Sequence, residues 1–216
     1  MSDKSNKYGY VGADIPAQSF GNNKGVFNPA EINELVANNK WTSFGQLELI
    51  ETQTVADPTY ASLIQYVDFT NLGDYNVHFL TYSDLQMQGY AYPSLRFYES
   101  GVLETGAVYQ YAYQDGISSG TFNELRSTAD DHLRLGKNAY QNLNGFAYLY
   151  NLSDNSKYSF TTFHSSMVEG NNLGSQMSFG SGVLPQASVV DGIRFLGDPA
   201  QYIKYLNVSL YGIRYS

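Results

Sequence analysis

The chain holds three histidines, His78, His132 and His164, and each stands apart from the other two. An imidazole binds a metal or carries a proton productively only when further ligands or a partner converge on it. The nearest approach to such a set is Asp130-Asp131-His132. In an extended segment successive side chains leave on opposite faces, so this run predicts a solvated loop end rather than a shared ion. Carboxylates gather around the middle of the chain as Glu99, Glu104, Asp115, Glu124, Asp130 and Asp131. Polysaccharide cleavage needs two carboxyl groups about 5 to 10 Å apart, and nothing in the spacing pairs any two of these residues. There is no phosphate loop or dinucleotide fingerprint; Gly21–Gly25 and Gly170–Gly174 read as ordinary glycine loops. With no cysteine, thiolate nucleophiles, disulfides and Cys-ligated zinc are excluded together. The expectation is a protein that is not an enzyme, with no catalytic residue, no cofactor and no metal site.

Binding chemistry is better represented. The chain has 20 Tyr and one Trp, aromatics make up 15% and charged residues only 15%. A tyrosine buries an aromatic body and keeps a polar tip, which suits a sugar-binding surface, a subunit interface or plain sheet packing. The candidate recognition residues are Tyr90, Tyr92 and Tyr140 with Asp115 and Asn123, while Tyr109, Tyr111 and Tyr113 fit a sugar surface or an oligomer contact equally well. A net charge of −8 with scattered Lys and Arg argues against nucleic acid, whose phosphates call for clustered cations. No apolar run approaches the roughly 18 residues of a membrane span, and the first residues, Met-Ser-Asp-Lys-Ser-Asn-Lys, lack the apolar core of a secretory signal. Synthesis in a cytoplasm is expected.

The elements that must carry these residues are mostly strands. Leu95–Gly101 and Val108–Tyr113 both alternate: Leu95 and Phe97 oppose Arg96 and Tyr98, and Tyr109, Tyr111 and Tyr113 oppose Gln110 and Ala112. They read as the two arms of one hairpin, turned at Ser100-Gly101 and Gly106, around which the other strands are organised. Further strands are predicted at 46–54, 61–69, 75–83, 132–136, 145–152, 157–166, 175–181, 189–196 and 203–214, divided by Asp, Asn, Gly and Pro turns. The stretch 114–144 is polar and irregular and reads as a long recognition loop with one short strand at Leu133–Leu135. One helix start is clear, with Asn28 as cap, Pro29 in the first turn, Glu31, and a stripe of Ile32, Leu35 and Val36 that ends near Asn38-Asn39. That short stripe, with Trp41 after it, must dock on the sheet or on another subunit. Strands without intervening helices cannot form a parallel sheet, so the fold class is all-β, an antiparallel β-sandwich of jelly-roll type. The domains are an extended N-terminal arm (1–27), a short helix and linker (28–45) and the sandwich (46–216). The arm carries Tyr8, Tyr10, Ile15 and Phe20 among glycines, and is expected to dock these apolar groups on a neighbouring protein.

Three stretches together resemble structural proteins of tailed bacteriophages that infect marine bacteria and cyanobacteria. They are Gly25-Val26-Phe27-Asn28-Pro29-Ala30-Glu31-Ile32 leading to Trp41; Leu95–Gly101 followed by Val108–Tyr113; and Asp191–Leu196 followed by Leu206–Ile213 with its Tyr-Gly-Ile ending. The resemblance spans roughly residues 25–216 and carries no catalytic residue. It implies a virion-surface jelly roll, assembled in the host cytoplasm, serving as a capsid decoration (cement) protein held through its arm. A tail or fibre tip protein binding host glycan is the alternative, and a secreted lectin-like module a lesser one. The expected partners are the chain itself, as a trimer first and a pentamer second, and other virion proteins such as the major capsid or tail proteins, without nucleic acid or a membrane.

Overall fold

A computed structural model describes residues 29–37, 47–137, 142–168 and 174–213. Tyr8, Tyr10, Ile15, Phe20, Trp41 and Tyr140 lie outside the described residues, so the expected arm contacts do too. The described residues fall into two units, the helix in one and all the strands in the other.

The helix, α1, runs Pro29–Ala37, as the cap signal and the apolar stripe require. None of its residues is buried; Ile32 and Leu35 are half-exposed and Val36 is 50% exposed.

The second unit contains thirteen strands, numbered in chain order: β1 Leu47–Ala56, β2 Tyr66–Phe69, β3 Val77–Met87, β4 Tyr92–Glu99, β5 Val102–Leu103, β6 Tyr109–Ile117, β7 Phe122–Asp130, β8 Leu133–Arg134, β9 Leu143–Tyr150, β10 Tyr158–Val168, β11 Ser175–Ala187, β12 Val190–Asp198 and β13 Ile203–Ile213. All pairings are antiparallel. They build a large sheet of eight strands, ordered β1-β13-β3-β9-β10-β11-β6-β7, and a small sheet ordered β2-β12-β4-β5, with β8 pairing β4. This is an antiparallel two-sheet sandwich, as expected. The finer jelly-roll wiring does not follow from the order, in which β9, β10 and β11 lie side by side as a meander.

The two-residue rhythm sets the core. On β10 every second residue, Ser159, Thr161, Phe163, Ser165 and Met167, is buried and the others are exposed. Phe97 of β4 meets Tyr109 of β6 across the sheets, their rings 6.1 Å apart, and Leu95 beside it on β4 is fully buried. Tyr82 of β3 likewise packs on Phe195 of β12 at 5.3 Å. Burying a large aromatic or aliphatic side chain contributes about 1.5–3 kcal/mol, so this layer dominates the stability of the unit.

Three expectations are corrected. The aromatic segments do not pair as a hairpin: β4 turns into β5 through Ser100-Gly101, both at positive φ, whereas β6 belongs to the large sheet. Alternation sorted the residues of each strand into two faces but left open which strand lay alongside. The stretch 61–65 is not strand; a tight turn at Tyr60–Leu63 places both of those residues at positive φ, with Asp57 accepting from the backbone N–H groups of Ala61 and Ser62 at 2.9 and 2.7 Å. The stretch 114–144 is not a long loop, because β7 occupies Phe122–Asp130 and pairs β6. As an edge strand with mostly exposed side chains, β7 shows no apolar rhythm to announce itself.

Candidate functional site

Among the described residues, Tyr90, Tyr92, Asp115 and Asn123 do not form one recognition surface. Tyr90 is 56% exposed between β3 and β4. Tyr92, at the start of β4, is half-buried with the Arg134 guanidinium 4.0 Å above its ring. Asn123 lies exposed on β7, in register with Asp115 of β6. Asp115 itself is buried, which corrects its assignment to a recognition surface. It begins an inward rung in which Asp115, Ser178, Ser165, Gly145 and Tyr82 stand side by side across β6, β11, β10, β9 and β3. Ser178 Oγ donates to Asp115 Oδ1, while Oδ2 accepts no hydrogen bond and lies 4.0 Å from Lys137 Nζ. Burial pushes the Asp115 carboxyl above its ordinary range, with the Ser178 hydroxyl and Lys137 opposing.

The Asp130-Asp131-His132 run also departs from expectation. Asp131 and His132 occupy a bend after β7 rather than extended strand, so one ligand-type atom from each of the three residues lies within 4.8 Å of the others. The chain supplies partners for these atoms. His132, buried, has Nδ1 2.6 Å from Asp131 Oδ1 and 3.3 Å from Asp130 Oδ1, and Arg134 Nε donates to its Nε2 at 3.2 Å. Arg96 pairs Asp131, and Asp198 Oδ2 lies 3.5 Å from Arg134 Nη2 and 3.3 Å from His132 Nε2. Burial disfavours an ionised Asp131, yet the His132 hydrogen bond and the Arg96 charge outweigh it and hold the carboxyl below its usual range. The arrangement is an ionic clasp that ties β7 and β8 to β4 and β12. Its counter-charges are already in place.

The outward face of the large sheet is the other candidate, and it is built by register. One rung crosses all its strands as Leu49, Tyr211, Phe79, Tyr148, Thr162, Ser181, Ala112 and Arg126. The rung beside it carries Thr52, Ser209, Thr81, Phe146, His164, Phe179, Gln114 and Glu124. Along both, Asp, Glu, Lys and Arg occur only on β7, and His164 of β10 is the one other titratable side chain besides tyrosine. The half nearer β1 is an aromatic cluster: the Phe79 ring lies 4.7 Å from Tyr148, 5.8 Å from Phe146 and 6.3 Å from Tyr211. Leu49 extends it to the edge strand, 60% exposed. Phe79, Tyr148 and Tyr211 are half-buried and Phe146 is 37% exposed, so the cluster is a candidate contact surface. The half nearer β7 replaces rings with Thr162, Ser181 and Ala112, which leaves a depression beside Phe160 and Arg126.

The stretch 114–144, read from the sequence as a recognition loop, contributes Gln114, Glu124 and Arg126 to the β7 half, whereas no sequence signal singled out the aromatic half. Phe79, Phe146 and Tyr148 were legible as alternating residues, but alternation gives a face no sign: the same spacing serves a buried or an exposed side. No family model matches the chain, and no curated protein or solved structure matches it.

Proposed function

We infer that the chain is a non-enzymatic virion-surface module, a capsid decoration protein that acts as a closed homo-oligomer of three copies attached through residues 1–27. The observation that carries this reading is the aromatic, uncharged half-face of Leu49, Tyr211, Phe79 and Tyr148 beside the edge strand β1. Copies of a chain with net charge −8 repel one another at long range, and contact through a face without ionised groups avoids burying unpaired charge. A contact between unlike patches closes into a ring when its rotation allows, and many identical copies on one lattice make weak individual attachments sufficient. The resemblance of residues 25–216 to phage structural proteins points to a virion as the lattice, with a sandwich of jelly-roll type displayed outward.

The depression on the β7 half of the same face favours a second reading, a tail or fibre tip protein that binds a host surface glycan. Gold labelling of parent particles with an antibody against the folded unit separates the two. Label over the capsid shell supports decoration, label at the tail tip supports the second reading, and unlabelled particles overturn both. Deleting residues 1–27 is expected to leave a folded oligomer that no longer joins the particle.

A further inference from the structure

The β7 half of the outward face is shaped by side-chain length. On the rung through Arg126, strands β6, β11 and β10 present Ala112, Ser181 and Thr162, all short. The rung on one side presents Gln110, Val183 and Phe160; the rung on the other presents Gln114, Phe179 and His164. These two taller rungs are four residues apart along each strand, about 13 Å, so the short rung is the floor of a trough. With neighbouring strands about 4.8 Å apart, the trough runs about 14 Å from β7 to β10. Beside Phe160 and Arg126 it holds an open hollow of about 340 Å³, also lined by Gln110 and Ser181.

The chemistry of the trough is specific. Phe160 is 44% exposed and offers an aromatic face. Gln110, Thr162 and Ser181 offer neutral donors and acceptors to a ligand rich in hydroxyl groups. Arg126 closes one end, and among the described residues its guanidinium has no ion pair or hydrogen bond; Glu124, two residues earlier on β7, does not pair with it. A free guanidinium fork matches a carboxylate in shape and in charge.

We propose that this trough binds an acidic carbohydrate, a chain of sugar rings bearing carboxylates. One ring stacks on Phe160, a carboxylate is forked by Arg126, and hydroxyls reach Gln110, Thr162 and Ser181. An acidic peptide is the poorer fit. Peptides gain affinity by adding a strand to an open edge, whereas this floor is made of β6, β11 and β10, each paired on both sides. Nucleic acid is poorer still, because a single arginine gives no cationic track for phosphates. The inference does not depend on where in a particle the chain sits.

The test is calorimetric titration of the full-length protein, in moderate salt, with oligomers of galacturonic, glucuronic and mannuronic acid, with their methyl-esterified counterparts and with polyglutamate. At least one uronic oligomer is expected to bind about tenfold or more tighter than its ester, a change read directly in Kd. Arg126→Gln should bring the acid down to the level of its ester, and Phe160→Ala should weaken both. Both side chains are exposed, so unchanged unfolding curves are the control on folding. Equal affinity for acid and ester, no binding by any oligomer, or polyglutamate binding as tightly as the best uronide would each overturn the proposal. Particle labelling can fail while this titration succeeds, and the reverse, so the two readings fall separately.

Discussion

Ser178 and Asp115 face each other in register across β11 and β6, and the Ser178 hydroxyl donates to the Asp115 carboxylate inside the sandwich. Burial raises the folded-state pKa of Asp115 above its unfolded value, so between those two values the folded chain binds more protons than the unfolded one. Stability therefore falls as pH rises from the ordinary carboxylate range, about 3.9, through the folded pKa. Asp115→Asn keeps an acceptor for Ser178 and removes the buried charge. The variant is expected to be more stable at neutral pH by on the order of 1 kcal/mol, with the advantage disappearing in acid. Urea unfolding across that pH range checks this; a difference independent of pH would refute it.

On the outer side of the small sheet, Arg194 of β12 forks Asp68 of β2, with Nε and Nη2 each 2.7 Å from a carboxylate oxygen. Nη2 also lies 2.7 Å from the Tyr98 hydroxyl, and the guanidinium sits 3.5 Å above the Tyr66 ring. The Asp68 hydrogen bonds raise the Arg194 pKa, burial opposing them, so the cation persists at any working pH. Arg194→Lys keeps the charge but loses the fork and the planar stacking, and is expected to cost about 1–2 kcal/mol. A double-mutant cycle with Asp68→Asn should show coupling of about 1 kcal/mol. Additive single effects would mean that the pair contributes nothing of its own.

Gly180 of β11 lies between Tyr113 of β6 and Phe163 of β10, whose rings meet edge to face at 5.8 Å over it. A Cβ built at Gly180 would come 2.3 Å from Tyr113 Cβ and 2.4 Å from the Ala112 carbonyl oxygen. Both obstacles are atoms that cannot swing aside. Gly180→Ala should cost about 1–3 kcal/mol, read as a lower urea midpoint, whereas Gly101→Ala, with open space around it, pays only for its positive φ.

The proposed oligomer contact is tested without particles. Leu49→Glu and Phe79→Ser put polar groups into the aromatic half-face while leaving the core untouched. Native mass spectrometry should show a trimer for the parent chain and about a third of that mass for the variants, with unchanged far-UV circular dichroism. A monomeric parent would remove the oligomer from the proposed function.

Local order in this chain is set by the sequence alone. The alternation at Phe146–Tyr150 and at Ser159–Met167, the Ser100-Gly101 turn and the Pro29 helix start each depend on residues within a few positions of one another, and each is found where that pattern places it. What lies beside what was decided only by the tertiary structure. Leu95–Glu99 and Tyr109–Tyr113 have equivalent rhythms and are separated by a short connection, yet they enter different sheets, because a strand's period fixes its faces and leaves its partner open. The same holds for both candidate sites. Arg126, Ala112, Ser181 and Thr162 come from four strands and form one rung only through antiparallel register, and His132 meets its carboxylates only because the chain bends at Asp131. Pairing over such distances in the chain depends on the balance of every competing contact in the sandwich, which no local window of residues contains.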